Sequence, residues 1–189
     1  MKGGEAIAKI LKLEGIDWIS VFPPTPITNP CSDAGIRMIM TRHERSAIAI
    51  ADAYTRMSMG HRNGVATVMQ DAGIENCMGA LAQAFDDLVP ILLLPGGSGR
   101  SEIDRRRFDP VKSYWYVTKW AARIHTAERI PEMVRRAFTC LRTGRPSPVL
   151  LEFPEELEGE SFDDAKFKYR PVTGWKWAAN PRDVEVAVR

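Results

Sequence analysis

The hydrophobic and polar positions of the chain follow two periods, and each change of period predicts an element. Between residues 4 and 14, apolar side chains recur at the spacing of one face of a helix, and Gly15 is placed to end it. The same spacing predicts helices at 44–57, 77–87 and 127–142. Short, nearly continuous apolar runs predict strands at 17–22, 36–40, 64–70, 89–97 and, after a turn, within 144–154. The run at 89–97 is predicted to end in a glycine-rich turn.

The order of these elements indicates the fold class. Strands alternate with helices along the chain, and runs such as GVATVMQ at 64–70 have too few polar residues for a strand with one face in water. Strands buried on both faces and joined by helices form a parallel sheet covered on each side. The sequence therefore predicts an α/β domain with three layers, α/β/α, around a mainly parallel sheet.

Several segments are predicted to be irregular. Residues 23–30 contain four prolines, which remove backbone donors and fix φ, so no regular element is expected there. Residues 71–76 are predicted to form a turn, and a polar loop is expected to begin at residue 98. Within that loop, residues 105–107 are three consecutive arginines. They favour a solvated loop, with attraction of an anionic ligand as the alternative.

The character of the chain changes after Pro154. Residues 1–156 are predicted to form the domain, and the charged residues 157–180 to form a linker. A short helix then begins with Asn180 as its N-cap and Pro181 as its first residue. We expect residues 181–189 to be the start of a truncated following domain.

Composition excludes several classes of protein. The net charge is only +2 over 189 residues, so neither a nucleic acid nor an anionic membrane is indicated as a partner. The three cysteines have no CxxC spacing, and we expect reduced thiols in a cytoplasmic protein rather than disulfides or a zinc site. No metal ligands are predicted in this chain. No apolar run reaches the roughly 18 residues of a membrane span, and the N-terminus lacks the apolar core of a signal peptide.

The stretch RHERSAIAIADAYTR at 42–56 places a carboxylate, Glu44, at the start of an otherwise apolar helix. A negative side chain in the first turn complements the helix dipole, which is worth roughly 0.3–1 kcal/mol. That effect accounts for Glu44 without any function. The remaining motifs of the chain favour a further role.

Five segments in order carry a family resemblance. They are GIDWISVF, RHERSAIAIADAYTR, DAGIENCMGALAQAFDDLVPILLLPGG, VTKWAARI and GRPSPVLLEFPEE, which together span about residues 4–156. The chain resembles the N-terminal pyrimidine-binding (PYR) domain of thiamine diphosphate enzymes, in the branch of acetolactate synthase and benzoylformate decarboxylase. The resemblance implies decarboxylation or carboligation of a 2-keto acid, by a lyase or transferase.

The resemblance also implies roles for individual residues. Glu44 matches the glutamate that activates the cofactor by sharing a proton with N1′ of the aminopyrimidine. Gly73, Asn76 and Pro24 are, with Glu44, the candidate cofactor-binding residues. Backbone geometry is the alternative for Gly73, and N-capping of the following helix is the alternative for Asn76. His43 is a candidate for substrate contact, with a structural role as the alternative, and its side chain is expected to point to a different side of the helix entrance from Glu44.

Two departures from the family pattern limit what is carried over. The loop after the first strand, FPPTPITNP, has no glycine, and Asp71 and Glu75 add negative charge to the glycine loop. The Gly-Asp-Gly signature with which relatives hold magnesium and diphosphate does not occur in this chain. We therefore expect half an active site that is inactive alone.

The missing half leaves several arrangements open. A homodimer or tetramer of a longer chain, with FAD possible in the full enzyme, is one arrangement. The α-subunit of a two-chain decarboxylase, completed by a diphosphate-binding subunit, is another. A non-catalytic dimerisation or regulatory protein with the same fold is the third. The identity of the 2-keto acid and of the product does not follow from the sequence.

Overall fold

The structure is a computed structural model that describes residues 1–97, 99, 108–174 and 178–189. The arginine run at 105–107 lies outside the described residues. The strands found are β1 (Trp18–Phe22), β2 (Arg37–Met40), β3 (Val65–Val68), β4 (Leu92–Leu93), β5 (Gly96–Gly97), β6 (Trp120–Arg123) and β7 (Val149–Pro154). The helices are α1 (Gly3–Leu13), α2 (Thr28–Asp33), α3 (Glu44–Met57), α4 (Ala72–Asn76), α5 (Met78–Asp86), α6 (Pro110–Ser113), α7 (Ile130–Arg142), α8 (Glu156–Gly159) and α9 (Pro181–Val188).

The described strands form one parallel sheet. Its order is β2-β1-β3-β4-β7, and β6 pairs with the other side of β7. β4 and β5 pair with β7 in a single register, Leu92 opposite Val149 and Gly96 opposite Phe153, so they are two parts of one interrupted strand. The predicted parallel sheet is confirmed.

Alternate strand residues enter two separate cores, one on each face of the sheet. Leu92 and Leu94 pack in the core under α1 and α7, whereas Leu93 packs in the core under α3 and α5. Successive side chains of a strand point to opposite faces, so this division requires apolar residues at every position. The helices on the two faces complete the predicted three-layer arrangement.

Three predictions about local structure are wrong. Residues 28–33 form α2, because Pro30 is the third helical residue, where an α-helix has no intrahelical use for an N–H group. The turn expected at 71–76 is the short helix α4. The glycine-rich turn expected after β4 is extended instead, and Gly96–Gly97 pair with β7. Glycine there allows the buried side chain of Glu152 to pack against the backbone, since a Cβ on Gly97 would lie 2.7 Å from Glu152 Oε1.

One strand escaped the sequence pattern. β6 lies within a segment that begins as a polar loop, and its burial alternates between half-buried and buried positions. In the described part of the chain β6 pairs with one strand only, β7, so it is an edge strand.

The segment predicted to be a linker packs on the domain for part of its length. Leu157, Phe162 and Val172 are buried. The Val172 N–H donates to Glu14 Oε1 at 3.1 Å, and the same buried carboxylate accepts from Tyr169 and Arg142. The domain limits themselves stay a prediction.

The last helix begins as the sequence predicts. The Arg182 N–H donates to Oδ1 of the N-cap residue Asn180 at 3.1 Å, and Pro181 is the first helical residue. None of the residues of α9 is buried. Across the described residues, the helices are too short or too polar for any of them to traverse a bilayer.

Candidate active site

The candidate residues lie where three strands end. Pro23 and Pro24 follow β1, residues 41–43 join β2 to α3, and residues 69–71 join β3 to α4. Because these strands are parallel, their carboxyl ends share one edge of the sheet, which is where ligands bind in open α/β sheets. The fold thus brings these three connections together at one edge.

Glu44 is the first residue of α3 and its side chain is only 8% exposed. Asn76 Nδ2 donates to Glu44 Oε2 at 3.4 Å, and His43 Nδ1 lies 3.7 Å from the same oxygen. Within the described part of the chain, no donor reaches Glu44 Oε1. A buried carboxyl oxygen without a donor is costly, since buried polar atoms almost always have a partner. This oxygen is therefore the strongest indication of a ligand contact at this edge.

Gly73 lies directly beside this carboxyl. A Cβ at Gly73 would be 3.7 Å from Glu44 Cγ and only 2.4 Å from Met69 Cγ. Any larger residue would therefore have to displace Met69, which is itself only half-buried at the end of β3. Glycine at this position keeps α4 close to the Glu44 side chain.

Asn76 does not cap a helix. It is the last residue of α4, and the position before α5 belongs to Cys77, whose side chain makes no capping hydrogen bond. The N-cap alternative for Asn76 is therefore wrong. Its amide group instead holds one oxygen of the Glu44 carboxyl, a contact between residues 32 positions apart that no sequence spacing announces.

His43 has a structural role at the start of α3. Its Nδ1 accepts a hydrogen bond from the Arg45 N–H at 3.1 Å, as an N-cap side chain does. The expectation that His43 and Glu44 point to different sides is wrong, because Nδ1 lies 3.7 Å from Glu44 Oε2. Half of the imidazole is nevertheless open, at 58% exposure, so a contact with a ligand is compatible with the cap.

Pro24 is exposed and follows β1 at the same edge of the sheet as Glu44. Two residues that the sequence did not single out, Gln70 and Gly96, lie next to the loop that contains Pro24. A Cβ at Gly96 would lie 3.2 Å from Pro26 Cδ and 3.1 Å from Gln70 Oε1, so three connections meet there. The sequence signal for Gln70 is its place at the end of the strand predicted at 64–70, and in the structure it follows β3 (Val65–Val68) with one residue between.

The backbone at Asp71 adopts a conformation that favours glycine. Its φ is 56° and its ψ is −118°, a combination that is strained for a residue with a Cβ. Non-glycine residues in such conformations are concentrated at functional sites. The strained residue Asp71 therefore lies two positions before Gly73, in the loop whose added negative charge was noted in the sequence.

Cys77 is not a nucleophile in this site. Its thiol is buried, donates to the Gly73 carbonyl at 3.4 Å, and lies near Glu44. Burial, with a smaller contribution from the negative charge of Glu44, raises the pKa of Cys77 to about 12. The thiol therefore stays protonated at neutral pH, and a thiol is a poor nucleophile.

A large cavity at the opposite edge of the sheet does not compete with this site. It has a volume of about 1060 Å³ and is lined by Arg56, Asn63 and Arg142, among others. Asn63 Oδ1 accepts from Arg142 Nε at 3.1 Å, and Arg142 also donates to Glu14. Its polar groups thus already bind one another, and none of the candidate residues lines it.

Comparison with known proteins decides the family. The sequence profile described as "Thiamine pyrophosphate enzyme, N-terminal TPP binding domain" matches residues 1–114, which include β1, β2, α3 and α4. The chain belongs to the thiamine pyrophosphate enzyme family. The resemblance seen in the sequence is therefore confirmed, and the candidate site lies within the matched region.

Members of the family with similar sequences include three named enzymes. A probable acetolactate synthase large subunit of Methanocaldococcus jannaschii is 32% identical over 88% of this chain and 29% of its own length. The glyoxylate carboligase of Escherichia coli O157:H7 is 30% identical over 100% of this chain and 33% of its own length. The 2-hydroxyacyl-CoA lyase 2 of Danio rerio is 32% identical over 80% of this chain and 25% of its own length. The chain thus spans a third or less of these relatives.

Proposed function

We propose that this chain supplies the aminopyrimidine-binding half of a thiamine diphosphate-dependent lyase or transferase, in which Glu44 activates the cofactor. One observation carries the proposal. A nearly buried carboxyl group, at the ligand-binding edge of a parallel sheet, has one oxygen held by Asn76 and the other without a donor within the described residues.

The donor set fits an aminopyrimidine ring. A carboxyl group that holds a proton is both a donor and an acceptor, and a ring nitrogen is its complementary partner. Asn76 occupies Oε2, so that Oε1 is left for the ring. Gly73 adds no side chain beside Glu44 Cγ, which keeps the approach to the carboxyl open. No residue of this set would hold a diphosphate group.

In this proposal Glu44 holds and shares the proton at N1′ of the bound aminopyrimidine. Its burial keeps the carboxyl group largely out of water, so a ring nitrogen placed there has Glu44 rather than solvent as its partner. The exposed face of His43 lies next to the carboxyl, and we propose that it contacts the substrate. When bound, the cofactor supplies an electron sink for the carbon–carbon bond that is broken or formed.

The chemistry of the relatives supports the reaction class. The three similar enzymes are named as a synthase, a carboligase and a lyase. We propose a 2-keto acid as the substrate of this chain's enzyme, with decarboxylation or carboligation as the reaction. Which acid and which product remain outside the proposal.

The proposed site is incomplete without a second part. The relatives are at least three times as long as the segment matched here. We propose that diphosphate and Mg²⁺ are bound by a part of the enzyme other than these 189 residues, in a further segment of the same polypeptide. The greater length of the relatives supports this arrangement. A homodimer or tetramer would bring the two halves together. FAD, if it is used, would also bind outside this domain.

Replacing Glu44 tests the proposal. In the complete enzyme, Glu44→Gln keeps the shape of the side chain but removes the shared proton, and should slow exchange of the thiamine diphosphate C2 proton with solvent deuterium by at least about 100-fold, or roughly 2.7 kcal/mol. Glu44→Asp, which keeps the carboxyl on a shorter stem, should lose less. An unchanged exchange rate in Glu44→Gln would remove Glu44 from the mechanism and favour a non-catalytic protein with the same fold.

A further inference from the structure

The two peptide groups that flank Glu44 are each held by a side chain. The carbonyl of His43 accepts from Thr41 Oγ1 at 3.1 Å, and the N–H of Arg45 donates to His43 Nδ1 at 3.1 Å. Between these two hydrogen bonds lies the Cα atom of Glu44. Its backbone is thus fixed on both sides by neighbours rather than by the helix alone.

Thr41 also connects this point to the centre of the sheet. Its backbone N–H donates to the Val21 carbonyl at 2.8 Å, and its hydroxyl is shared between the same carbonyl at 3.0 Å and that of His43. Val21 is fully buried on β1. A buried strand inside the sheet is among the most rigid parts of an α/β domain. Because Thr41 is bound to β1 and also to the His43 carbonyl, it fixes the first turn of α3 relative to β1.

A second anchor acts one turn further along α3. The buried hydroxyl of Ser20, on the same strand, lies 2.6 Å from the Ala47 carbonyl and donates to it. The depth of α3 against the sheet is therefore set by β1 at two successive turns. These two anchors leave the Glu44 side chain with little freedom other than its own torsions.

We propose that Thr41 and His43 are positioning residues that set the geometry of the Glu44 carboxyl. This inference rests on the proposed function, because it assigns them a task only if Glu44 acts on the cofactor. Misplacing a reacting group by about 1 Å can cost about 100-fold in rate. Loss of the Thr41 hydroxyl should thus slow the proton exchange at C2 without weakening cofactor binding, which depends mainly on the diphosphate site elsewhere.

The first experiment compares Thr41→Val, which removes the hydroxyl at nearly constant shape, with Thr41→Ser, which keeps it. In the complete enzyme saturated with thiamine diphosphate, we expect Thr41→Val to slow C2-proton exchange by about tenfold or more. Thr41→Ser should stay within about threefold of the parent, and the dissociation constant of the cofactor should change by less than about threefold in both, less than the effect of one typical hydrogen bond.

A second readout needs no cofactor. Amide hydrogen exchange of the peptide covering residues 42–50, measured by mass spectrometry in the cofactor-free enzyme, should be about three- to tenfold faster in Thr41→Val and unchanged in Thr41→Ser, in proportion to one hydrogen bond. Peptides from α7, which does not contact this junction, serve as the internal control.

His43 gives an independent pair of variants. His43→Asn retains a side chain that caps a helix, whereas His43→Ala removes the acceptor. Rescue of C2-proton exchange by asparagine, but not by alanine, supports positioning through the cap. Equal losses in both variants would overturn it for His43 and indicate that the imidazole itself touches the ligand. If Thr41→Val does not fold, the two His43 variants still test whether the start of α3 positions the Glu44 carboxyl.

The outcomes separate the two proposals. Normal exchange in Thr41→Val together with slow exchange in Glu44→Gln would overturn the positioning role alone. Normal exchange in Glu44→Gln would overturn the proposed function, and the role of Thr41 in it. Slow C2-proton exchange in Thr41→Val and in Glu44→Gln supports the positioning role and the proposed function, provided that Thr41→Ser restores the rate and the affinity for the cofactor is unchanged.

Discussion

The amide group of Asn76, at the end of α4, donates from Nδ2 to Oε2 of Glu44, at the start of α3, over 3.4 Å. This contact joins two connections that leave the sheet from different strands, β2 and β3. It also leaves the second oxygen of the carboxyl open. The electrostatic character of the proposed site therefore depends on a pair of residues and not on Glu44 alone.

Removal of this donor should weaken the site without unfolding the domain. Asn76 is exposed apart from this contact, so Asn76→Ala should change the free energy of unfolding by less than about 1 kcal/mol. It should slow C2-proton exchange by about two- to tenfold, the worth of one hydrogen bond. Gln83→Ala, an exposed amide on α5, is the matched control and should change neither quantity. Equal rates of C2-proton exchange in Asn76→Ala and the parent would show that the hydrogen bond from Asn76 to Glu44 has no effect on this step.

Substitution of Gly73 should be destabilising for a steric reason. In Gly73→Ala the new Cβ would meet Met69 Cγ at 2.4 Å, and overpacking of this kind costs roughly 1–3 kcal/mol. Gly79→Ala is the control, because its Cβ would meet only the mobile end of Arg45 at 3.4 Å, and alanine is the better helix former by up to about 1 kcal/mol. Urea unfolding of both variants measures the difference. A Gly73→Ala protein as stable as Gly79→Ala would contradict the close approach described here.

The strained backbone at Asp71 leads to a prediction that separates conformation from side-chain contacts. Asp71→Gly and Asp71→Ala both remove the carboxylate, but only glycine adopts φ 56° and ψ −118° without strain. The glycine variant should therefore be more stable than the alanine variant by about 1 kcal/mol or more. Equal stability, or a more stable alanine variant, would mean that residue 71 is not held in this conformation.

Two buried thiols should make the protein less stable in alkali. Burial raises the pKa of both Cys31 and Cys77 to about 12, from an ordinary value near 9. Above pH 9 the unfolded chain loses protons that the folded protein keeps, so the free energy of unfolding falls as the pH rises, up to about pH 12. Each thiol contributes up to about 1.4 kcal/mol per pH unit.

Chemical denaturation at pH 8 and pH 10.5, under reducing conditions, measures this loss. In Cys31→Ala the loss between the two values should be smaller than in the parent by about 1–2 kcal/mol, whatever the cost of the substitution itself. Cys140→Ala is the control, since Cys140 is only half-buried and should have a smaller effect. An identical pH dependence in Cys31→Ala and the parent would show that Cys31 is not buried as a neutral thiol.

Local patterns predicted much of the fold because the signals were themselves local. The bounds of α3, Glu44–Met57, agree with the apolar spacing and with the carboxylate in the first turn. α2 was missed for a physical reason, since proline was counted against a helix without regard to its place in the first turn. β6 was missed because an edge strand buries little and has a weak pattern.

The candidate site also has one feature that the sequence predicts and others that only the folded structure shows. Glu44 was found through a motif contained within one helix. Its contact with Asn76 and the connection of Thr41 to β1 are properties of the assembled sheet edge, and they join residues on different elements. No spacing along a single chain encodes these distances. The strain at Asp71 is likewise invisible in the sequence, because a φ of 56° leaves no mark on the pattern of residues.

A crystal structure of the complete enzyme with thiamine diphosphate would show whether Glu44 contacts the aminopyrimidine of the cofactor. We expect Glu44 Oε1, the oxygen without a donor within the described residues, to lie at hydrogen-bond distance from N1′ of the ring, about 2.6–3.2 Å. Asn76 should keep its contact with Oε2. If another side chain binds N1′ and Glu44 is turned away from it, Glu44 does not activate the cofactor.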